Sequence, residues 1–160
     1  MISKHGIILF KKIVKDNDFY IKILSEDDII VSGIVFGGNS SKKKIFYQTG
    51  YFINFNIKKK YQNSLSSINA EPTKPFILNA LNDKYKLMGL LSLISLVNIS
   101  IIEGQKIHGL FKSINNLVEF IITSKSWIVE YCEWLLYLLQ LIGYQIDYKK
   151  NESKDYFDLI

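Results

Sequence analysis

Up to about residue 75 the apolar positions come in short runs broken by turn-forming residues, and beyond it they recur at helical spacing. Gly6 to Ile13 reads as a first strand, Phe19 to Leu24 as a second with Phe19, Ile21 and Ile23 alternating onto one face, and Ile29 to Phe36 as a third. Asp16-Asn17-Asp18 and Glu26-Asp27-Asp28 supply the turns, since short polar side chains bond nearby backbone and tolerate tight geometry. After Gly37-Gly38-Asn39-Ser40-Ser41, two more strands are expected at about Tyr51 to Lys59 and Ser64 to Ala70. Five short strands with short early connections predict a small closed barrel, because closure removes the unpaired edges such strands would leave.

Pro72 and Pro75, the only prolines, stand where the period changes from two to about 3.6. They divide the chain into a β domain at 1–75 and a helical domain at 76–160, an α+β organisation. Leu78, Leu81, Tyr85, Leu87, Leu91 and Ile94 fit one helical face, Leu110, Ile114, Leu117, Val118 and Ile121 a second, and Ile128, Tyr131, Leu135, Leu138 and Ile142 a third. Three helices packed as a bundle follow, with Gly104 in the connection after the first and Gly143 as the stop of the last. The two most apolar windows, Leu87 to Ile102 and Trp127 to Ile142, are interrupted by Ser92, Ser95 and Asn98 and by Glu130, Glu133 and Gln140. They fall short of a membrane span and read as buried bundle helices.

Charge sharpens this division. The chain of 160 residues carries a net charge of +5, its twenty basic residues are all lysine, and residues 1–75 hold twelve lysines against six acids whereas residues 76–160 hold eight against nine. The excess is therefore +6 on the predicted barrel and −1 on the bundle. Lysine is a compact point charge without the planar fork that reads guanine or carboxylate bidentately, so anion binding here should be delocalised and indifferent to sequence. The lysines cluster at Lys11, Lys12 and Lys15, at Lys42, Lys43 and Lys44, and at Lys58, Lys59 and Lys60, the last run being followed by Tyr61. With Phe46, Tyr47, Tyr51 and Tyr61 between them, these residues suit a nucleic-acid backbone: phosphates held by charge, bases stacked on rings. The same lysines would also serve an adaptor whose basic barrel docks on an acidic partner, or a lipid surface.

No catalytic constellation assembles. His5 and His108 fall in different predicted domains, and Gly37-Gly38 before Lys42 lacks the second glycine of a phosphate loop. Glu130 and Glu133 have no partner base, and Cys132, the only cysteine, falls in the apolar pattern of the third helix and reads as a structural thiol. A single cysteine also excludes an intramolecular disulfide and a paired-cysteine zinc site. Met1 to Phe10 carries no secretory signal, so a non-enzymatic cytoplasmic protein with no cofactor, no metal and no membrane is expected.

Taken together these residues resemble a known family, the bacterial DNA repair and recombination mediator RecO. Gly6-Ile7-Ile8-Leu9, the acidic turn at Asp16 and Ile21-Lys22-Ile23-Leu24-Ser25 look like its first strands. Gly33-Ile34-Val35-Phe36-Gly37-Gly38-Asn39-Ser40, Lys42 to Lys44 and Gln48-Thr49-Gly50 are similar to its glycine pair, basic loop and Gln-Pro-Gly, with Thr49 in place of the proline and Ile29 in place of a hairpin glycine. Trp127 to Asp147, with Glu133, Leu136, Leu139 and Gly143-Tyr144, looks like its helix ending in Leu-Gly-Phe/Tyr and an aspartate. The resemblance implies an N-terminal OB-fold and a helical domain. It further implies binding of single- and double-stranded DNA, annealing, and loading of RecA with RecR and single-strand-binding protein at the nucleoid. The basic loop carries over to Lys42 and Lys44, while Asn39 and Ser41 stand where relatives are often basic. Family members usually continue past this length, many with a cysteine-type zinc motif beginning near the position of Asn151, and no zinc is carried over.

Overall fold

The computed structural model describes residues 3–15, 17–41, 43–58, 65–74 and 79–144. Five strands, β1 (Lys4–Lys15), β2 (Asp18–Ser25), β3 (Ile30–Val35), β4 (Phe52–Lys58) and β5 (Ser67–Lys74), close into a barrel in the order β1-β2-β3-β5-β4. All neighbours are antiparallel except β3 and β5, which are parallel. Three helices follow: α1 (Lys84–Ser100), α2 (Leu110–Thr123) and α3 (Trp127–Leu141). This is the expected small barrel with a helical part after it. The predicted change of period at Pro72 and Pro75 falls partly on residues outside those described; β5 itself continues through Pro72, opposite Ile53. The parallel pairing with β3 is confined to the start of β5, at Ser67, so Pro72 withdraws no N–H from that neighbour.

Closure depends on a close approach at Gly33. Ile34 N donates to Ser66 O at 2.8 Å, and a Cβ on Gly33 would stand 2.5 Å from that same oxygen. Inside the barrel, Ile8, Phe19, Ile21, Ile23, Val35, Tyr47, Ile53, Phe55 and Ile68 form one buried cluster. A second cluster joins the outside of the barrel to the helices: Ile7, Leu9, Leu24, Ile30 and Phe52 pack with Leu90, Val97, Ile101, Ile107, Ile114 and Trp134, among others.

The helices differ in how well their faces follow from the pattern. In α2 the five residues expected inside are the five that are buried. In α1 the buried residues are Gly89, Leu90, Leu93, Ile94 and Val97, so of the expected face Ile94 is buried and Leu87 half-buried, while Leu81, Tyr85 and Leu91 are exposed and Leu78 lies outside the described residues. The helix has no charged residue between Lys86 and its end and is apolar nearly all round, which leaves periodicity little to point with. Its packing is instead set by Gly89, where a Cβ would meet the Trp127 indole at 2.7 Å. In α3, Trp134 and Leu138 are buried and Ile128 is exposed, so the face is rotated from the expected one. Both helices are thus exposed along one side rather than buried all round. None of the described helices is long and apolar enough to cross a membrane. Gly143 ends α3 in the left-handed region, with Gly143 N donating to Gln140 O and Tyr144 N to Leu139 O, the paired bonds of a Schellman stop.

The barrel also caps a helix directly. Asp28, in the β2–β3 turn at φ 65°, accepts from Gly109 N at 2.8 Å and from Phe111 N at 2.9 Å, filling the N-terminus of α2 that Gly109 has no side chain to cap.

Candidate nucleic-acid interface

Neighbouring lysines of β1 have opposite fates. Ile8 faces inward opposite Ile23, but the register with β2 then slips by one at Leu9, so that Lys11 lies opposite inward-facing Ile21 and Lys12 opposite Tyr20 on the outer face. Lys11 accordingly turns into the mouth of the barrel, its Nζ 4.9 Å from the centre of the buried Phe19 ring and donating to Gln48 Oε1 at 2.9 Å. Partial burial lowers its pKa. Lys12 and Lys15 are exposed.

The β3–β4 connection brings a second lysine cluster to this same end. Gly37 N donates to Asp18 Oδ1 at 2.9 Å and Asn39 N to Asn17 O at 2.9 Å, which fastens the loop to the β1–β2 turn. Lys43 N and Lys44 N then share Ser40 O, and both side chains stand exposed. Gln48 ties the clusters together, its Nε2 donating to Lys44 O at 2.7 Å while its Oε1 accepts from Lys11. Around them the structure exposes Phe36 (63%), Ile13 (57%) and Phe46 (41%). Lys42 lies outside the described residues.

The third cluster is not brought here. Strand direction puts Lys58, opposite Ser67, at the other end of the barrel, with the β2–β3 turn. It is exposed and opens the β4–β5 connection; Lys59, Lys60 and Tyr61 lie outside the described residues. In barrels of this topology the β1–β2 and β4–β5 connections flank the outer face of β2 and β3, where oligonucleotides lie. Two residues of that face stand outside the lysine runs and aromatic positions that the sequence singles out: Tyr20 and Lys22, both half-buried, with Lys22 opposite Ser32 and Tyr20 opposite Ile34. The alternation that sends Phe19, Ile21 and Ile23 inward sends these two outward, and that was the available signal.

Among the aromatic residues expected as stacking platforms, Tyr47 is instead core. It is 2% exposed, its hydroxyl donates to Ala70 O at 3.0 Å, and it meets Phe19 edge to face; burial raises its pKa. Tyr51 is half-buried against the barrel interior, and Phe46 keeps an exposed ring. Cys132, expected inside, is exposed on α3. His5 and His108 are both exposed, and among the described residues no group of histidine, cysteine and carboxylate side chains could hold a metal ion.

No family model matches the chain. Curated relatives do. A DNA repair protein RecO of Rickettsia canadensis is 27% identical over 149 residues, covering 93% of this chain and 61% of the relative. The DNA repair protein RecO of Orientia tsutsugamushi strain Boryong is 30% identical over 141 residues (88% and 58%), and that of a Ruegeria species 25% identical over 142 residues (89% and 59%). This chain therefore spans about three fifths of the length of the relatives it matches. In each case the likeness runs over about nine tenths of this chain's own length, and over that span the chain is similar to DNA repair proteins RecO.

Proposed function

We propose that this protein is a DNA repair and homologous recombination mediator whose barrel binds single- and double-stranded DNA through lysines. In this reading it promotes strand annealing and the loading of RecA together with RecR and single-strand-binding protein, and has no catalytic site of its own. The observation that carries the reading is the joining, through Gln48, of the β1 lysines and the Lys43–Lys44 loop at one end of the barrel, beside the exposed Phe36 and Phe46 rings. Lys12, Lys22, Lys43 and Lys44, with Lys42 in the same loop, contact phosphate; Lys58, at the other end of the barrel and followed in the chain by Lys59, Lys60 and Tyr61, offers a second contact separate from this track. Lys11 acts as a positioning residue that holds Gln48 and, through it, the loop. The names of the relatives support the pathway, and the absence of arginine suits a protein that must act on any sequence.

Fluorescence anisotropy with single-stranded oligothymidylate across a salt series tests this. Binding should weaken steeply with salt, and joint replacement of Lys42, Lys43 and Lys44 by glutamine should flatten the slope by about two units, at about 0.7 per lost phosphate contact. Lys11→Met, by contrast, should leave the slope within about half a unit of the parent. Binding that is absent, or insensitive to salt, overturns the reading.

A further inference from the structure

The connection between α1 and α2 lies against the barrel rather than clear of it. Gly104 N donates to Ile30 O at 3.0 Å, Ile107 N donates to Asp28 O at 3.1 Å, and Ile29 pairs with Lys106. Ile101 and Ile107 are buried in the same cluster as Leu24 and Ile30. These contacts lay residues 101–109 over the half of the outer β2–β3 face nearest the β2–β3 turn. The other half carries the half-buried Tyr20 and Lys22, with the exposed Lys12 of β1 beside them.

Glu103 stands on the border between the two halves. Its carboxylate accepts a hydrogen bond from Ser32 Oγ, and Ser32 is directly opposite Lys22 in the β2–β3 ladder. Residues opposite one another in such a ladder are about 5 Å apart, so a fixed negative charge is pinned one side chain away from the lysine that begins the other half. A phosphate drawn to Lys22 therefore meets a carboxylate held in place by the barrel itself. A strand running across this face from the Lys12 end is attracted as far as Lys22 and repelled beyond it.

We propose that Glu103 is a built-in stop, which ends the nucleic-acid track at Lys22 and holds single-stranded DNA to a short footprint on the β2–β3 face. The proposal rests on the DNA-binding reading above, and it makes the α1–α2 connection a determinant of binding on the barrel. Removing one like charge about 7 Å from a phosphate in a water-like medium corresponds to about a threefold change in affinity.

The test uses the full chain and a ladder of oligothymidylates of increasing length. Glu103→Gln should tighten binding about threefold at low salt, steepen the salt slope by about 0.7, and lengthen the shortest oligonucleotide that reaches full affinity. Glu133→Gln makes the same change in net charge on an exposed position of α3 and should do none of these. If the parent binds with a salt slope but the Glu103 and Glu133 variants behave alike, the stop is overturned and the DNA reading stands. If the parent shows no salt-dependent binding, both fall.

Discussion

The carboxylate that caps α2 comes from a turn of the barrel more than eighty residues away in sequence, and removing it should loosen the barrel and the helices together. In Asp28→Ala, Gly109 N and Phe111 N lose their acceptor at the positive end of the helix. Loss of such a cap destabilises by about 1 kcal/mol, and loss of the favourable charge at the helix terminus adds about 0.5 kcal/mol. Alanine at the left-handed φ of 65° adds strain of about 1 kcal/mol. The total is about 2.5 kcal/mol, or about 5–10 °C in Tm for a chain of this size. Two further variants separate the contributions. Asp28→Gly relieves the strain but removes the cap, so it should recover about 1 kcal/mol of the loss; Asp28→Asn keeps an acceptor and tolerates the backbone, so it should lose only about 0.5 kcal/mol. Urea unfolding followed by circular dichroism measures all three, and hydrogen exchange at Gly109 and Phe111 reports the cap locally. The reasoning is refuted if Asp28→Ala unfolds with the parent, or if Asp28→Asn loses as much as Asp28→Ala.

Gly33→Ala should destabilise by about 2–3 kcal/mol, because its Cβ would fall 2.5 Å from Ser66 O and force β3 from β5 where the barrel closes; an unchanged urea midpoint would refute the close approach. The acid limb of stability should carry a small contribution from the Lys4–Asp27 ion pair, whose side-chain hydrogen bond lowers the Asp27 pKa. A depressed carboxylate pKa contributes stability that is present above the unfolded value of about 3.9 and lost as pH falls through the lower folded value. The stability difference between the parent and Lys4→Met should thus be present at neutral pH and vanish once both states are protonated; a difference that persists undiminished in acid contradicts it.

How much of this was legible in the sequence depends on which interaction decided each feature. The five strands follow from turn residues and alternation, both local, and each lies within a few residues of its expected position. The faces of β1 did not, because the bulge at Leu9 reverses the alternation: continued from Ile8, it would have turned Lys12 inward and Lys11 outward. The lysine clusters were visible as runs of charge, but their distribution between the two ends of the barrel depends on strand direction, and their link through Gln48 is a contact 37 residues apart. Tyr47 looked like a stacking ring because its partners, Phe19 and Ala70, lie on other strands. Asp28 signals a turn, which it makes; nothing in its neighbourhood announces the helix it caps.

The cluster that joins the outside of the barrel to the helices bears on inheritance. Phe52 on β4 meets Phe111 on α2 edge to face at 6.2 Å, and Leu24 and Ile30 share their cluster with Ile101 and Ile107. A barrel exchanged for that of a relative would bring a foreign surface to Val97, Ile107 and Phe111, and a chimaera would fit only if those contacts travelled with it. Substitutions at Leu24, Ile30 and Phe52 are therefore expected to track substitutions in the helices rather than those inside the barrel, and the chain should diverge among its relatives as one heritable unit.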